Sequence, residues 1–425
     1  MTTASDTVRR SRFWTAFGPG LLWAATAIGV SHLVQSTRAG ALAGFGLAGV
    51  ILLALILKYP FFEFGPRYAA ATGTSLVEGY SRLGRWALWL YLAITLLTAG
   101  IIQSAVVMFT VYLFGYSFGL DWSPVVLGAL VMAAGALLLW VGRFDGLDLS
   151  IKIIVGLLVL STLLAAAVSL PRADFSTLAV WPGGLIGTTV PFAFLLALVG
   201  WMPTAIDVSA WSSLWTLAKN QASGERCSVE TARQDFLVGY VGTGVLAFIF
   251  VVLGTGVMYG TGETFAAEGT VFATQLVDLY SATLGAWTRP VVLVAVVTTM
   301  LSTTLTVMDG APRVLERTFF VLRSRPADGP PPSCGPVYWW SLAALVALTL
   351  VVMVLFIGSL TAMIDFATTV SFLTGPILGY LTLRVVTADQ MPAEHRPGPA
   401  MRALSWIGIL LLGGTGLFYL VSLFG

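Results

Sequence analysis

The stretch FGPGLLWAATAIGVSHLVQSTRAG, residues 17–40, is apolar enough to enter a bilayer but poorly written for crossing it as one unbroken helix. Gly18-Pro19-Gly20 opens a helix, because proline in a first turn withholds only an N–H that has no partner there. The run then reaches Ile28-Gly29-Val30-Ser31-His32 near its middle. Glycine, valine, serine and histidine all favour helix less than the leucine and alanine before them, so an interruption is expected between Gly29 and His32. The theme returns at residues 198–208, LVGWMPTAIDV, where Pro203 removes a backbone donor and crowds the preceding turn. The interruptions fall in the first and sixth expected spans, an offset of five. A matched pair of Gly/Pro-interrupted spans predicts an inverted repeat with a binding site between the breaks.

Composition supports the bilayer as solvent. Of 425 residues, 57% are hydrophobic and 10% charged, against about 25% charged in an ordinary soluble domain. Apolar runs near the ~20 residues of one crossing recur along the chain. They are continuous and rich in Leu, Ala and Val, not alternating, so helices are the structure that satisfies the backbone in lipid. About eleven spans are expected, at 14–40, 42–71, 86–115, 122–142, 149–170, 186–217, 234–260, 286–317, 337–358, 361–386 and 401–424. They form a single transmembrane domain, with repeats at 14–170 and 186–386 and an extra helix at 401–424. The longer polar connectors fall near 218–233, 261–285, 322–336 and 387–400, and Arg325–Cys334 (RPADGPPPSC) reads as a Pro-rich surface linker.

Basic residues set the orientation. Arg9, Arg10, Arg12, Arg67, Arg82, Arg85, Arg143, Lys152, Lys219, Arg226, Arg233, Arg313, Arg317, Arg323, Arg325, Arg384, Arg396 and Arg402 fall on one side of an eleven-span layout. Arg38, Lys58, Arg172 and Arg289 lie elsewhere. The expectation is a multi-pass cell-membrane protein, in a bacterial inner membrane, with a cytoplasmic N-terminus and an external C-terminus. The first hydrophobic segment reads as a retained helix, not a cleaved signal. The net charge of +2 comes without a basic cluster, so no nucleic-acid partner is expected. Cys227 and Cys334 lie far apart in polar connectors and read as free thiols.

At these residues the chain resembles the Nramp metal-transporter family. Gly18-Pro19 falls on that family's opening Gly-Pro, and Ala39-Gly40-Ala41 on its closing small-residue segment. Gly29-Val30-Ser31-His32 occupies its Asp-Pro-Gly-Asn motif, and Met202-Pro203-Thr204 its Met-Pro-His. Ala70-Ala71-Thr72-Gly73, Ser302-Thr303-Thr304-Leu305-Thr306 and Ser371-Phe372-Leu373-Thr374-Gly375-Pro376 are similar to further family segments. The resemblance implies an all-α, LeuT-like fold, a five-plus-five inverted repeat plus one helix, with helices one and six broken. It also implies a divalent-metal site built from the first motif, the methionine and backbone carbonyls. Here Gly29 stands at the acid's position and His32 at the asparagine's, while Met202 is kept. The third span, Leu88 to Gly115, contains no acid and offers Gln103 among its few polar groups.

Ionisable groups inside spans are costly and mark candidate sites. His32 offers an imidazole that can bind a transition metal or carry a proton, or bond a neighbouring helix carbonyl. Met202 offers a thioether, or apolar packing. Asp207 can bring a carboxylate from the second half of the broken sixth span, or serve as a cap. These three are the candidate metal ligands. Gly29, Ser31, Gln35, Thr204 and Thr369 complete the candidate substrate site. Lys58 and Glu63, five residues apart on the second span, are poorly spaced for pairing with each other, and interhelical partners are expected. Asp309 and Asp365 read as satisfied helix-end groups that can line vestibules.

The leading expectation is a secondary transporter of a divalent metal with a rebuilt site. A LeuT-fold carrier of a small, carboxylate-bearing organic solute is the alternative, and a non-transporting receptor a third. No hydrolase or nucleophile motif appears, so neither enzyme activity nor a cofactor is expected.

Overall fold

The structure, a computed structural model, describes residues 18–179, 181–323 and 334–423. The basic N-terminal residues and nearly all of the Pro-rich linker lie outside the described residues.

The first expected span is built in pieces. Helix α1 (Pro19–Ala27) ends at Ile28, residues Ser31–Ser36 take a wider π-type winding, and α2 (Thr37–Ala43) completes the crossing. The second and third spans are α3 (Ala48–Thr72) and α5 (Arg85–Phe118). Between them lies an unexpected short helix, α4 (Leu76–Leu83), started by a capping box between Ser75 and Glu78. The fourth and fifth expected spans lie in one element, α6 (Pro124–Ser169). The loop expected after residue 142 is helical, and no proline interrupts the 46 residues of that element.

The sixth span is α7 (Phe192–Gly200) followed by α8 (Val208–Ser223), with residues 201–207 unwound between them. Helix α9 (Val229–Val257) is the seventh span. The connector at 261–285, expected as a polar loop, contains α10 (Gly269–Leu284). Glu268 starts it by accepting the N–H groups of Thr270 and Val271 at 2.9 Å each. Phe272, Leu276, Val277 and Tyr280 then bury its apolar face. Helices α11 (Arg289–Arg323), α12 (Pro336–Leu355), α13 (Leu360–Thr387) and α14 (Pro399–Ser422) are the eighth to eleventh spans.

Eight apolar stretches among the described residues are long enough to cross a membrane unaided. The broken first and sixth spans and the apolar segment Val159–Arg172 supply the rest of the expected eleven. Burial orders them from centre to rim. The most apolar windows of α3 and α5 are 72% buried and that of α14 only 22%, so α14 sits at the edge. Small residues set the closest contacts, as expected where packing drives association in lipid. A Cβ on Gly20 would strike the backbone of Asp235, and one on Gly40 that of Val251, so both halves of the first span lie directly on α9.

Connectors and helix ends from different span pairs meet. Arg226 donates to the Ala70 carbonyl, Arg67 to that of His395, and Arg317 pairs with Glu78. At the opposite end of the first span, Arg38 grips Asp365 of α13 through two bonds of 2.7 and 3.1 Å.

Candidate functional site

The first break is shorter than expected. Helix α1 closes when the Ile28 N–H reaches the Ala24 carbonyl at 2.7 Å, and the Gly29 N–H turns back to Ala27 at 3.0 Å. Winding resumes at once, with the His32 and Leu33 N–H groups both on the Gly29 carbonyl. His32 therefore stands in wound backbone, beyond the break. Neutral groups satisfy the opened turn. Thr303 of α11 donates to the Ala25 carbonyl at 3.0 Å, and Ser31 Oγ donates to that of Ala27. A Cβ at Gly29 would come within 2.8 Å of Thr303 Oγ1. Glycine at this position is what lets α11 approach.

Both nitrogens of the His32 ring are occupied. Nδ1 lies 3.0 Å from the Ala27 carbonyl and 2.7 Å from Ser31 Oγ, and Nε2 lies 3.0 Å from the Thr243 carbonyl of α9. The ring ties the first span to the seventh.

The second break is satisfied by a charge. Lys58 of α3, 2% exposed, places Nζ 2.9 Å from the Val199 carbonyl, 2.8 Å from Gly200, 3.2 Å from Met202 and 3.0 Å from Thr204. The first two end α7 and the others lie in the unwound turn, which holds a cis Met202–Pro203 bond. Trp201 Nε1 ties the same turn to Ser371 of α13 at 2.8 Å. Asp207 precedes α8 without capping it. Its Oδ1 accepts instead from Thr98 of α5 at 2.9 Å, and Oδ2 has no protein partner. Asp207 and Lys58 interact electrostatically across the turn.

Between the breaks lies a cavity of about 20 Å³, room for one water-sized occupant. Thr26, Ser31, Thr204 and Thr303 are the hydroxyl-bearing residues of its lining, and Trp201, Trp211 and aliphatic side chains supply the remaining wall. The Trp211 N–H is buried without a protein partner. No carboxylate lines the cavity.

Of the candidate residues, Ser31 and Thr204 line this cavity, and Gly29 packs behind it against Thr303. His32, Met202 and Asp207 are buried beside it, but none lines it. Among the described residues no three His, Cys, Asp or Glu gather into a group that could hold a metal ion. Gln35 belongs to the outer cluster, donating to Asp365 at 3.1 Å and accepting from Arg38 at 2.9 Å. Thr369 is half-buried on α13, away from the cavity. Glu63 has the interhelical partner expected of it, Arg233 of α9 at 2.7 Å, as well as Arg67 at 2.8 Å. Asp309 is satisfied by Arg313, Trp215 and Tyr338.

Several contributors were not read from the sequence. Thr26, Thr98 and Thr303 are threonines in threonine-bearing helices, and nothing local distinguishes them. Asp235, whose carboxylate accepts the Gly18 and Gly20 N–H groups at 3.1 and 2.6 Å, has no nearby motif. Lys58 carried the one available signal, a lysine inside an apolar span.

Comparison with known proteins places this arrangement. The model of a family described as natural resistance-associated macrophage protein-like, Nramp, matches residues 20–422. An uncharacterized protein of Pasteurella multocida is 30% identical over 433 residues, covering 99% of this chain and 96% of that one. Among solved structures, a mutant of the Eremococcus coleocola manganese transporter superposes with a TM-score of 0.77 at 14% identity, covering 99% of this chain and 89% of that one. A nucleobase-cation-symport-1 family transporter in a closed conformation with bromovinylhydantoin bound gives a TM-score of 0.60 at 14% identity, with 95% and 89% coverage. MhsT in complex with L-phenylalanine gives 0.58 at 16%, with 93% and 98% coverage. These likenesses identify the all-helical, LeuT-like membrane fold.

Proposed function

We propose, from the premise that this chain belongs to the Nramp transporter family, that it is a secondary transporter whose cargo passes through the cavity between its two broken helices, and that this cargo is a divalent metal ion. The observation that carries this reading is the cavity itself: water-sized, set between the two interruptions and lined in part by hydroxyl-bearing residues. The manganese transporter's matching fold supports the same class of cargo. The arginine asymmetry supports a cytoplasmic N-terminus and an external C-terminus, and the matched breaks support repeats over about 14–170 and 186–386.

For His32, Met202 and Asp207 to become ligands, each must turn toward the cavity. His32 has to leave the Thr243 and Ala27 carbonyls, and Asp207 has to leave Thr98. The charges nearby limit the affinity. The Lys58 ammonium, within electrostatic range of Asp207, offsets part of the attraction that carboxylate offers a dication. Metal binding is therefore expected to be weak.

That offset favours a second reading, a small organic solute. A site of hydroxyls and half-helix ends without a lining carboxylate suits a neutral or zwitterionic cargo better than a dication. Titration calorimetry on the purified protein separates the two. Manganese, cobalt, cadmium and magnesium are tested first, then an amino-acid panel. Metal heat that disappears in His32→Ala or Asp207→Ala supports the metal reading. No metal heat at millimolar concentration overturns it, and heat from the amino-acid panel instead selects the second.

A further inference from the structure

The carbonyl oxygens at the second break form a cage around a single nitrogen. Helix α7 ends at Gly200, and the last carbonyls of any helix lack intrahelical partners and carry the negative end of its dipole. Val199 and Gly200 end α7, the Val199 carbonyl also accepting the Met202 N–H at 3.2 Å, and the unwound turn adds the carbonyls of Met202 and Thr204. All four oxygens lie 2.8–3.2 Å from Lys58 Nζ. An ammonium has three N–H bonds, one fewer than its acceptors here. The oxygens thus surround a point charge and do not pair off with directed donors. In broken-helix transporters, unwound carbonyls and half-helix C-terminal ends are where coupling cations are coordinated. In this chain a side chain reaches that place from the neighbouring helix.

We propose that the Lys58 ammonium is a resident cation: it fills, within the chain, the carbonyl cage of the broken sixth span that would otherwise take a soluble monovalent cation, so the break is held closed without one. Three features support it. Lys58 is as buried as the core around it, and a charge so placed persists only with matched partners. Asp207 lies within electrostatic range of it. The first break, closed by Thr303, Ser31 and His32, gathers no comparable set of carbonyls around a cation, so a cationic filler is not a general requirement of the unwound turns. Vacating the cage should create a binding site whose ligand class is a small monovalent cation, best matched by ammonium or methylammonium, which reproduce both charge and N–H donors.

The test is thermal unfolding of the purified full-length protein at constant ionic strength in choline, sodium, potassium, ammonium or methylammonium chloride. Wild type is expected to melt at one temperature in all five. Lys58→Ala is expected to melt several degrees lower in choline and to regain most of that loss, saturably, in ammonium or methylammonium, as ligand linkage requires. Lys58→Met fills the space without charge and is expected to be destabilised and not rescued. If Lys58→Ala cannot be purified in choline, recovery of monodisperse protein in ammonium is the same result read as yield, and failure in both salts overturns the proposal. It is overturned equally if Lys58→Ala melts like wild type, if no cation restores it, or if wild type is itself stabilised by one monovalent cation over the others. The inference concerns the break and not the cargo, and manganese or amino-acid binding by wild type leaves these outcomes unchanged.

Discussion

The two breaks face each other across one small cavity, yet they are closed by different chemistry. At the first, a threonine donates to the Ala25 carbonyl and a serine to that of Ala27, both neutral groups. At the second, four carbonyls, that of Val199 shared with the Met202 N–H, gather around a lysine. The difference follows from where each helix stops. Winding resumes within two residues after Ile28, so few acceptors are exposed. Residues 201–207 stay unwound and include a proline, so acceptors accumulate until a full charge is the economical way to satisfy them. A cation built into one break is also a charge that a cationic cargo must approach.

This contrast can be broken by mutation, and the largest effect is expected at the charged break. Lys58→Met leaves several buried carbonyls unmet, each costing about 1–3 kcal/mol. Its unfolding midpoint should fall further than that of any variant at the first break, and a smaller fall than for His32→Ala would erase the distinction. Gly29→Ala comes next. Its Cβ would sit 2.8 Å from Thr303 Oγ1, an overpacking expected to cost about 1–3 kcal/mol. The double variant Gly29→Ala/Thr303→Ala should recover part of that loss in a thermal melt, because the obstructing side chain is gone. His32→Ala removes the bond from the ring to the Thr243 carbonyl, which keeps its place in the α9 ladder, and is expected to cost about 1 kcal/mol, while His32→Gln, which can still donate one bond, should cost less. Asp207→Asn is expected to be smallest in stability, about 1 kcal/mol or less, because Thr98 can still donate to the amide oxygen and Oδ2 has no protein partner to lose. Calorimetry gives Asp207→Asn its second reading: under the metal proposal it loses metal binding while melting almost like wild type.

Much of the architecture was legible along the chain. Continuous apolar runs announce spans because lipid leaves the backbone no alternative to helix, and Pro203 marks the sixth-span break because it cannot donate. The misreadings have local causes. Residues 143–152 are polar but contain no proline, so the helix continues through them, and the connector at 261–285 hides an amphipathic face behind acidic and glycine residues. The site was legible only as a neighbourhood. His32 was singled out as an intramembrane imidazole, but whether its nitrogens face a cavity or the Thr243 carbonyl depends on α9, more than two hundred residues away.

The sequence by itself determined that this is a membrane-embedded helical bundle with two interruptions in matching spans, because hydropathy, glycine and proline act over a few residues. Only the tertiary structure decided what closes each interruption. The partners of an opened turn come from other helices: Thr303 for the first, Lys58 for the second. Which carbonyl a side chain reaches is set by packing distance, which spacing along the chain does not encode.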